Sequence, residues 1–210
     1  HDLIKEYAID HQRIVFNGNG YAPEWAEEAK RRGLPNLPSM VDAIPALTTD
    51  KAVKLFEEFH VFTKTELESR AEIQYEIYAK AVNIEAKTMI DLATKQIIPA
   101  VVRYTTVLAD SVNTVRAVGD IDVSVQLELL KKCSALLKTT NSAMKNLSDV
   151  VAKVSEIPEG RERAVYCKDI VCKAMTELRT PVDELEMLVD KSMCCLLYTS
   201  DAADDLIGVD

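Results

Sequence analysis

From Thr63 to about Val118 the chain reads TKTELESRAEIQYEIYAKAVNIEAKTMIDLATKQIIPAVVRYTTVLADSVNTVRAV, without a glycine and with its one proline, Pro99, well inside. At about 1.5 Å per residue, a helix of that length extends roughly 80 Å. That exceeds the width of a small compact domain, so the segment is a spine along which other helices pack. Thr63 and Glu66 form the T-x-x-E pattern of a capping box at its start. Pro99 removes one backbone hydrogen bond and crowds the preceding turn, which predicts a kink there. Gly119, Asp120 and Asp122 supply the turn that ends it.

Two further long helices follow. The second is expected over about Val123 to Glu156. Leu130, Leu137, Met144 and Val151 recur every seven residues, and Cys133, Thr140, Leu147 and Val154 follow each by three, a heptad seam. Pro158-Glu159-Gly160 is a turn. The third helix carries Val171, Met175, Leu178, Val182, Leu185 and Val189 at alternating spacings of four and three. Its Pro181 marks either a kink or a fresh helix start. Short loops between long helices make antiparallel neighbours. The expected fold is mainly α: a long antiparallel helical hairpin or bundle of three long helices, the first kinked at Pro99.

The first sixty residues have a different texture. Asp2 to Gln12 look like the tail of a helix, and RIVF (13–16) like a short extended run before the Asn17-Gly18-Asn19-Gly20 turn. Pro23 opens the amphipathic EWAEEAKRR helix, and Gly33 sits where a helix end favours a left-handed residue. Ser39 with Asp42, and Thr49 ahead of KAVKLFEEF, mark two more short helices. The expected organisation is a turn-rich piece over 1–62, a helical extension over 63–193, and a separate tail over 194–210.

Composition excludes several classes. Among 210 residues 48% are hydrophobic and 28% charged, with net charge −9, a soluble profile without the basic face of a general nucleic-acid binder. No apolar run approaches the roughly 20 residues of a membrane span, and no signal peptide opens the chain. The first residue is His1, which suggests a piece of something longer. Five cysteines (133, 167, 172, 194 and 195) show no paired C-x-x-C spacing and read as structural thiols in a reducing compartment.

Candidate chemistry is sparse. Glu57-x-x-His60 has the carboxylate–imidazole spacing of di-iron bundles, but such sites need a second pair and two more buried glutamates, and only His1, His11 and His60 exist. The NGNG glycines lack the third glycine and following helix of a dinucleotide fingerprint. Glu85 and Asp91 read as the polar edge of an amphipathic helix. No catalytic, cofactor-binding or metal-ligating residue is assigned on this chain.

A set of phrases nonetheless carries a family signal: RIVFNGNGY with Trp25 following, EEAKRRGLPNL, VDAIPAL, ELESR, NIEAKTMIDLA with IIPA after it, and PVDELEMLVDK. In this order and spacing, over about residues 1–193, the chain resembles the C-terminal region of type III glutamine synthetase, the large bacterial form of glutamate–ammonia ligase. The resemblance implies an ATP-dependent parent enzyme in which γ-glutamyl phosphate forms and ammonia displaces phosphate, with Mg²⁺ or Mn²⁺ assisting. It also implies that the ATP, glutamate, ammonium and metal sites lie mostly or wholly upstream. This chain itself would bind no cofactor and be inactive alone. The implied partners are the rest of the catalytic domain and further copies in a ring-shaped homo-oligomer, in the cytoplasm, with no nucleic acid and no membrane. After DKSM the family would continue differently. CCLLYTSDAADDLIGVD resembles a translated sequencing-adapter remnant, so 194–210 are expected to be non-native or disordered. The alternative reading, a stand-alone helical scaffold binding partner helices through its heptad faces, accounts for the periodicity but not for RIVFNGNGY or the proline-rich loops.

Overall fold

The computed structural model describes residues 1–193; the expectation for 194–210 falls outside them. Helices dominate, and no β-strand occurs among the described residues. In order, α1 spans Asp2–Asp10, α2 Pro23–Arg31, α3 Met40–Ala43, α4 Asp50–Glu58, α5 Lys64–Leu92, α6 Ile98–Val118, α7 Ser124–Ala152, α8 Arg161–Tyr166 and α9 Cys172–Glu186. Two compact units divide between Ala43 and Ile44.

In the first unit, RIVF is not extended throughout: Gln12–Ile14 form a 3₁₀ turn and the backbone becomes extended at Val15. The run is too short, and too near the Asn17–Gly20 turn, to find a strand partner. Pro23 starts α2 as expected. Gly33, at φ +79°, ends it in a Schellman arrangement: its N–H bonds the Lys30 carbonyl and the Leu34 N–H bonds that of Ala29.

In the second unit, Ile44–Thr48 form a 3₁₀ segment that packs on α5, as does α4. Residues 44–62 thus join the long helices, so the compact division falls earlier than the change of texture at 62/63. The capping box that opens α5 is complete. The Thr63 hydroxyl accepts from the Glu66 N–H, and the Glu66 carboxylate accepts from the Thr63 N–H at 2.8 Å.

The spine is three consecutive pieces. Between α5 and α6, Ala93–Ile97 form a π-turn in which the Ile98 N–H bonds the Ala93 carbonyl. Pro99, two residues on, has no N–H to offer the Lys95 carbonyl. Widening the turn just upstream relieves the clash a proline imposes on a regular α-helix. A second π-turn, Cys167–Val171, joins α8 to α9. Pro181 lies inside α9, which continues through it, so it starts no new helix.

The hairpin is α6 against α7, and α9 returns along α7. On α5 the buried residues are Leu67, Ala71, Tyr75, Ala79, Val82 and Ala86, mostly small, which lets neighbouring helices approach closely. On α7 the two heptad rows differ in depth: Cys133, Thr140 and Leu147 are fully enclosed, whereas Leu130, Leu137 and Met144 are partly buried and their row is buried only at Val151. Of the third row, Val171, Leu178, Val182, Leu185 and, just beyond α9, Val189 are buried, whereas Met175 is only partly so.

Thr140 carries a hydroxyl with no hydrogen-bond partner inside this seam. A buried unsatisfied hydroxyl costs roughly 1–3 kcal/mol. Thr140→Val, which keeps the shape and deletes the polar atom, is therefore expected to raise stability by about 1 kcal/mol. Chemical denaturation of the two proteins checks this, and a loss of stability would show that the hydroxyl is satisfied in solution.

Candidate functional site

The densest polar arrangement is built by α2 and the segment before it. Trp25, Glu28, Ala29 and Arg32 fall at helical spacing and share one face of α2. Gly18 lies under the Phe16 ring, where an added Cβ would come within 2.6 Å of Cζ. That close approach explains the glycine, and Asn19 closes the turn by accepting from the Tyr21 N–H at 3.0 Å. Phe16, so placed, packs on Trp25 with ring centroids 4.7 Å apart.

Arg32 ties the unit together. Its guanidinium lies 5.9 Å from the Trp25 ring centre and donates to the Arg13 carbonyl at 2.9 Å and the Val15 carbonyl at 3.1 Å. Its Nε donates to Glu28 at 2.6 Å, and Arg31 reaches the same carboxylate through Nε and Nη2, also at 2.6 Å. A cleft opens between Gln12, Arg13, Arg31 and Arg32. It looks like an anion site, but Arg31 and Arg32 are committed to Glu28 and the backbone. The cluster is a structural clamp, and the NGNG turn serves to seat Phe16.

The hydrogen bonds from Arg31, then those from Arg32, hold the Glu28 carboxyl down at about 2. The unfolded value is about 4.3. A folded value below the unfolded one means that the clamp contributes stability above the unfolded pKa and loses it as pH falls from about 5 towards 2. Trp25 is the single tryptophan of the chain, so its fluorescence reports on this region. An acid transition in that signal between about pH 5 and 2 is expected, and Glu28→Gln should abolish it. An unchanged transition in the variant would assign it elsewhere.

The other sequence candidates do not converge. Phe59 caps the C-terminus of α4, so His60 lies beyond the helix, exposed and with positive φ, and shares no helix face with Glu57. Glu57 instead accepts from the Lys64 N–H at 3.3 Å, helping to start α5. Glu85 and Asp91 are exposed on α5, and Asp91 pairs with Lys95. Cys133, Cys167 and Cys172 are free thiols, and burial pushes the first two up, towards the protonated and unreactive form. Cys172 lies 3.8 Å from the Tyr78 hydroxyl.

A groove of about 220 Å³ runs beside the first π-turn, between Met89, Leu92, Ala93 and Ile97 on one side and Leu178, Val182 and Glu186 on the other. Nothing in the residue spacing signals it, because it depends on how α9 lies across the π-turn. Arg179 and Asp183 pair at its edge at 3.2 Å. Burial, with Asp183 nearby, raises the Glu186 pKa. The groove is smaller than the roughly 300–1,000 Å³ of ordinary ligand pockets and holds no nucleophile–base pair. Among the described residues no group of three or more His, Cys, Asp or Glu side chains could hold a metal ion. Arg31 and Arg32 are engaged with Glu28, and Arg32 also with the Arg13 and Val15 carbonyls. No described helix is long and apolar enough to cross a membrane.

Comparison with known proteins gives a consistent answer. A family model described as the glutamine synthetase C-terminal domain matches residues 1–116. A glutamine synthetase of Butyrivibrio fibrisolvens is 35% identical over 189 residues, covering 90% of this chain and 27% of that protein. A type-3 glutamine synthetase of Dictyostelium discoideum is 34% identical over 196 residues, with the same coverage. A glutamine synthetase of Bacteroides fragilis is 26% identical over 193 residues, covering 26% of its length. The chain thus spans about a quarter of the curated relatives it matches. The Dictyostelium relative carries the type-3 name outside the bacteria, so the resemblance does not assign a bacterial source.

Proposed function

The chain belongs to the glutamine synthetase C-terminal domain family, and from that premise we propose that it is the carboxyl-terminal part of a type III glutamine synthetase. In this reading the parent joins ammonia to glutamate at the expense of ATP, with Mg²⁺ or Mn²⁺. The groups that bind those reactants stand on other parts of the parent. The observation that carries it is the coverage: relatives named glutamine synthetase align with nine-tenths of this chain and only about a quarter of themselves. The role left to this chain is structural: packing against the rest of the catalytic domain and supporting a ring-shaped homo-oligomer in the cytoplasm. A free-standing scaffold would leave unexplained why the similarity runs through the first unit as well as the long helices.

The test is an assay of the purified chain for glutamine formation from glutamate, ammonium, ATP and Mg²⁺. No turnover is expected. Measurable turnover that survives repurification would overturn the structural assignment, because it would require a complete active site within these residues.

A further inference from the structure

The helix α5 has two apolar faces. One is the buried row from Leu67 to Ala86. The other is Ile73, Ile77 and Ile84, exposed to 51%, 51% and 64%. At about 100° per residue these three isoleucines share one stripe nearly opposite the buried row. Solvent-facing helix positions ordinarily carry straight-chain polar residues, and a helix that is apolar on both sides is packed on both sides. The neighbouring charges need no outside partner: Lys80 pairs with Glu76 at 2.9 Å, Lys95 with Asp91, and Arg70 lies 4.1 Å from the Phe62 ring centre.

We propose that this isoleucine stripe is the surface on which the remainder of the glutamine synthetase polypeptide docks, through an apolar contact. The inference rests on the function proposed above. A second copy of the chain fits poorly. Three half-exposed side chains offer a patch on the order of a few hundred Å², against about 800 Å² per partner in a stable interface. Antiparallel pairing that sets Ile73 against Ile84 of a copy would bring Arg70 to Lys87 and Glu66 to Asp91, like against like. Parallel pairing in register sets every charge against itself. A patch this small suffices for a partner held close by covalent linkage, where the effective concentration reaches the millimolar range. The relatives carry such a partner, since nearly three-quarters of their length lies outside the match.

The experiment compares this chain alone with a chimaera in which it replaces the matching quarter of the Butyrivibrio fibrisolvens enzyme. Each carries Ile77→Cys, or Lys145→Cys on α7 as the exposed control, and is labelled with a maleimide. The thiol introduced at position 77 should react like the control in the isolated chain and roughly tenfold or more slowly in the chimaera, with equal protection at about 0.05 M and about 0.5 M salt because the contact is apolar. Equal reactivity of the two introduced thiols in an active chimaera refutes the docking and leaves the proposed function standing. An inactive chimaera removes the reading on which the docking rests. Protection in the isolated chain that grows with concentration assigns the stripe to a second copy and overturns the proposal. Independently, Ile77→Glu should leave the melting temperature of the isolated chain unchanged; a drop of several degrees would mean the stripe is packed within this chain.

Discussion

Leu147→Ala is expected to cost roughly 2–5 kcal/mol and to lower the melting temperature by about 4–20 °C. Leu147 is fully buried on α7, in the seam that α7 forms with α6 and α9, and truncation leaves a cavity those helices can close only in part. Leu137→Ala on the same helix should cost clearly less, since Leu137 is only partly buried. Thermal and denaturant unfolding of the two variants side by side distinguishes the rows. Equal losses, or a larger loss at Leu137, would mean that the helices pack in a different register.

Gly160→Ala is the second large effect, at about 1–3 kcal/mol. Gly160 is buried, precedes α8, and has φ +85° with ψ −141°, a conformation that side-chain-bearing residues rarely adopt. An added Cβ would also meet the Glu72 carboxylate of α5 at 2.5 Å. The two causes separate in the double variant. Glu72→Ala removes the contact but not the backbone strain, so it should restore little of the loss. Full restoration would assign the glycine to the contact instead. Denaturant midpoints read both.

The two variants also mark what could be read in the chain beforehand. The seven-residue recurrence from Leu130 to Val151 and the turn at Pro158–Gly160 were legible, because periodicity and turn chemistry are local. Which heptad row goes deepest was not, because the rows are equivalent until α9 takes its place along α7. That Glu72 sits over Gly160 was equally hidden, since it depends on how α5 meets the turn before α8. At Pro99 the local rule foresaw a disturbance, but not the π-turn at Ala93–Ile97 that accommodates it. The Glu57–His60 pair failed for a local reason as well: α4 ends before His60, and spacing on paper does not place two residues on one helix face once the helix has stopped.

The first unit was legible in its turns and caps and opaque in its purpose. RIVF suggested a short extended run, whereas the structure uses Arg13 and Val15 as carbonyl acceptors for Arg32 and Phe16 as a support for Trp25. Nothing in the spacing of EWAEEAKRR singled out Arg32, because its partners lie before the turn.

The most direct measurement is glutamine formation by the chimaera in which this chain stands in for the matching quarter of the Butyrivibrio fibrisolvens enzyme, set beside the same enzyme with that quarter deleted. Restored ATP-dependent glutamine synthesis in the chimaera, with none in the deletion, is the expected result. A deletion protein that works as well without this quarter, or a folded chimaera that makes no glutamine, would contradict it.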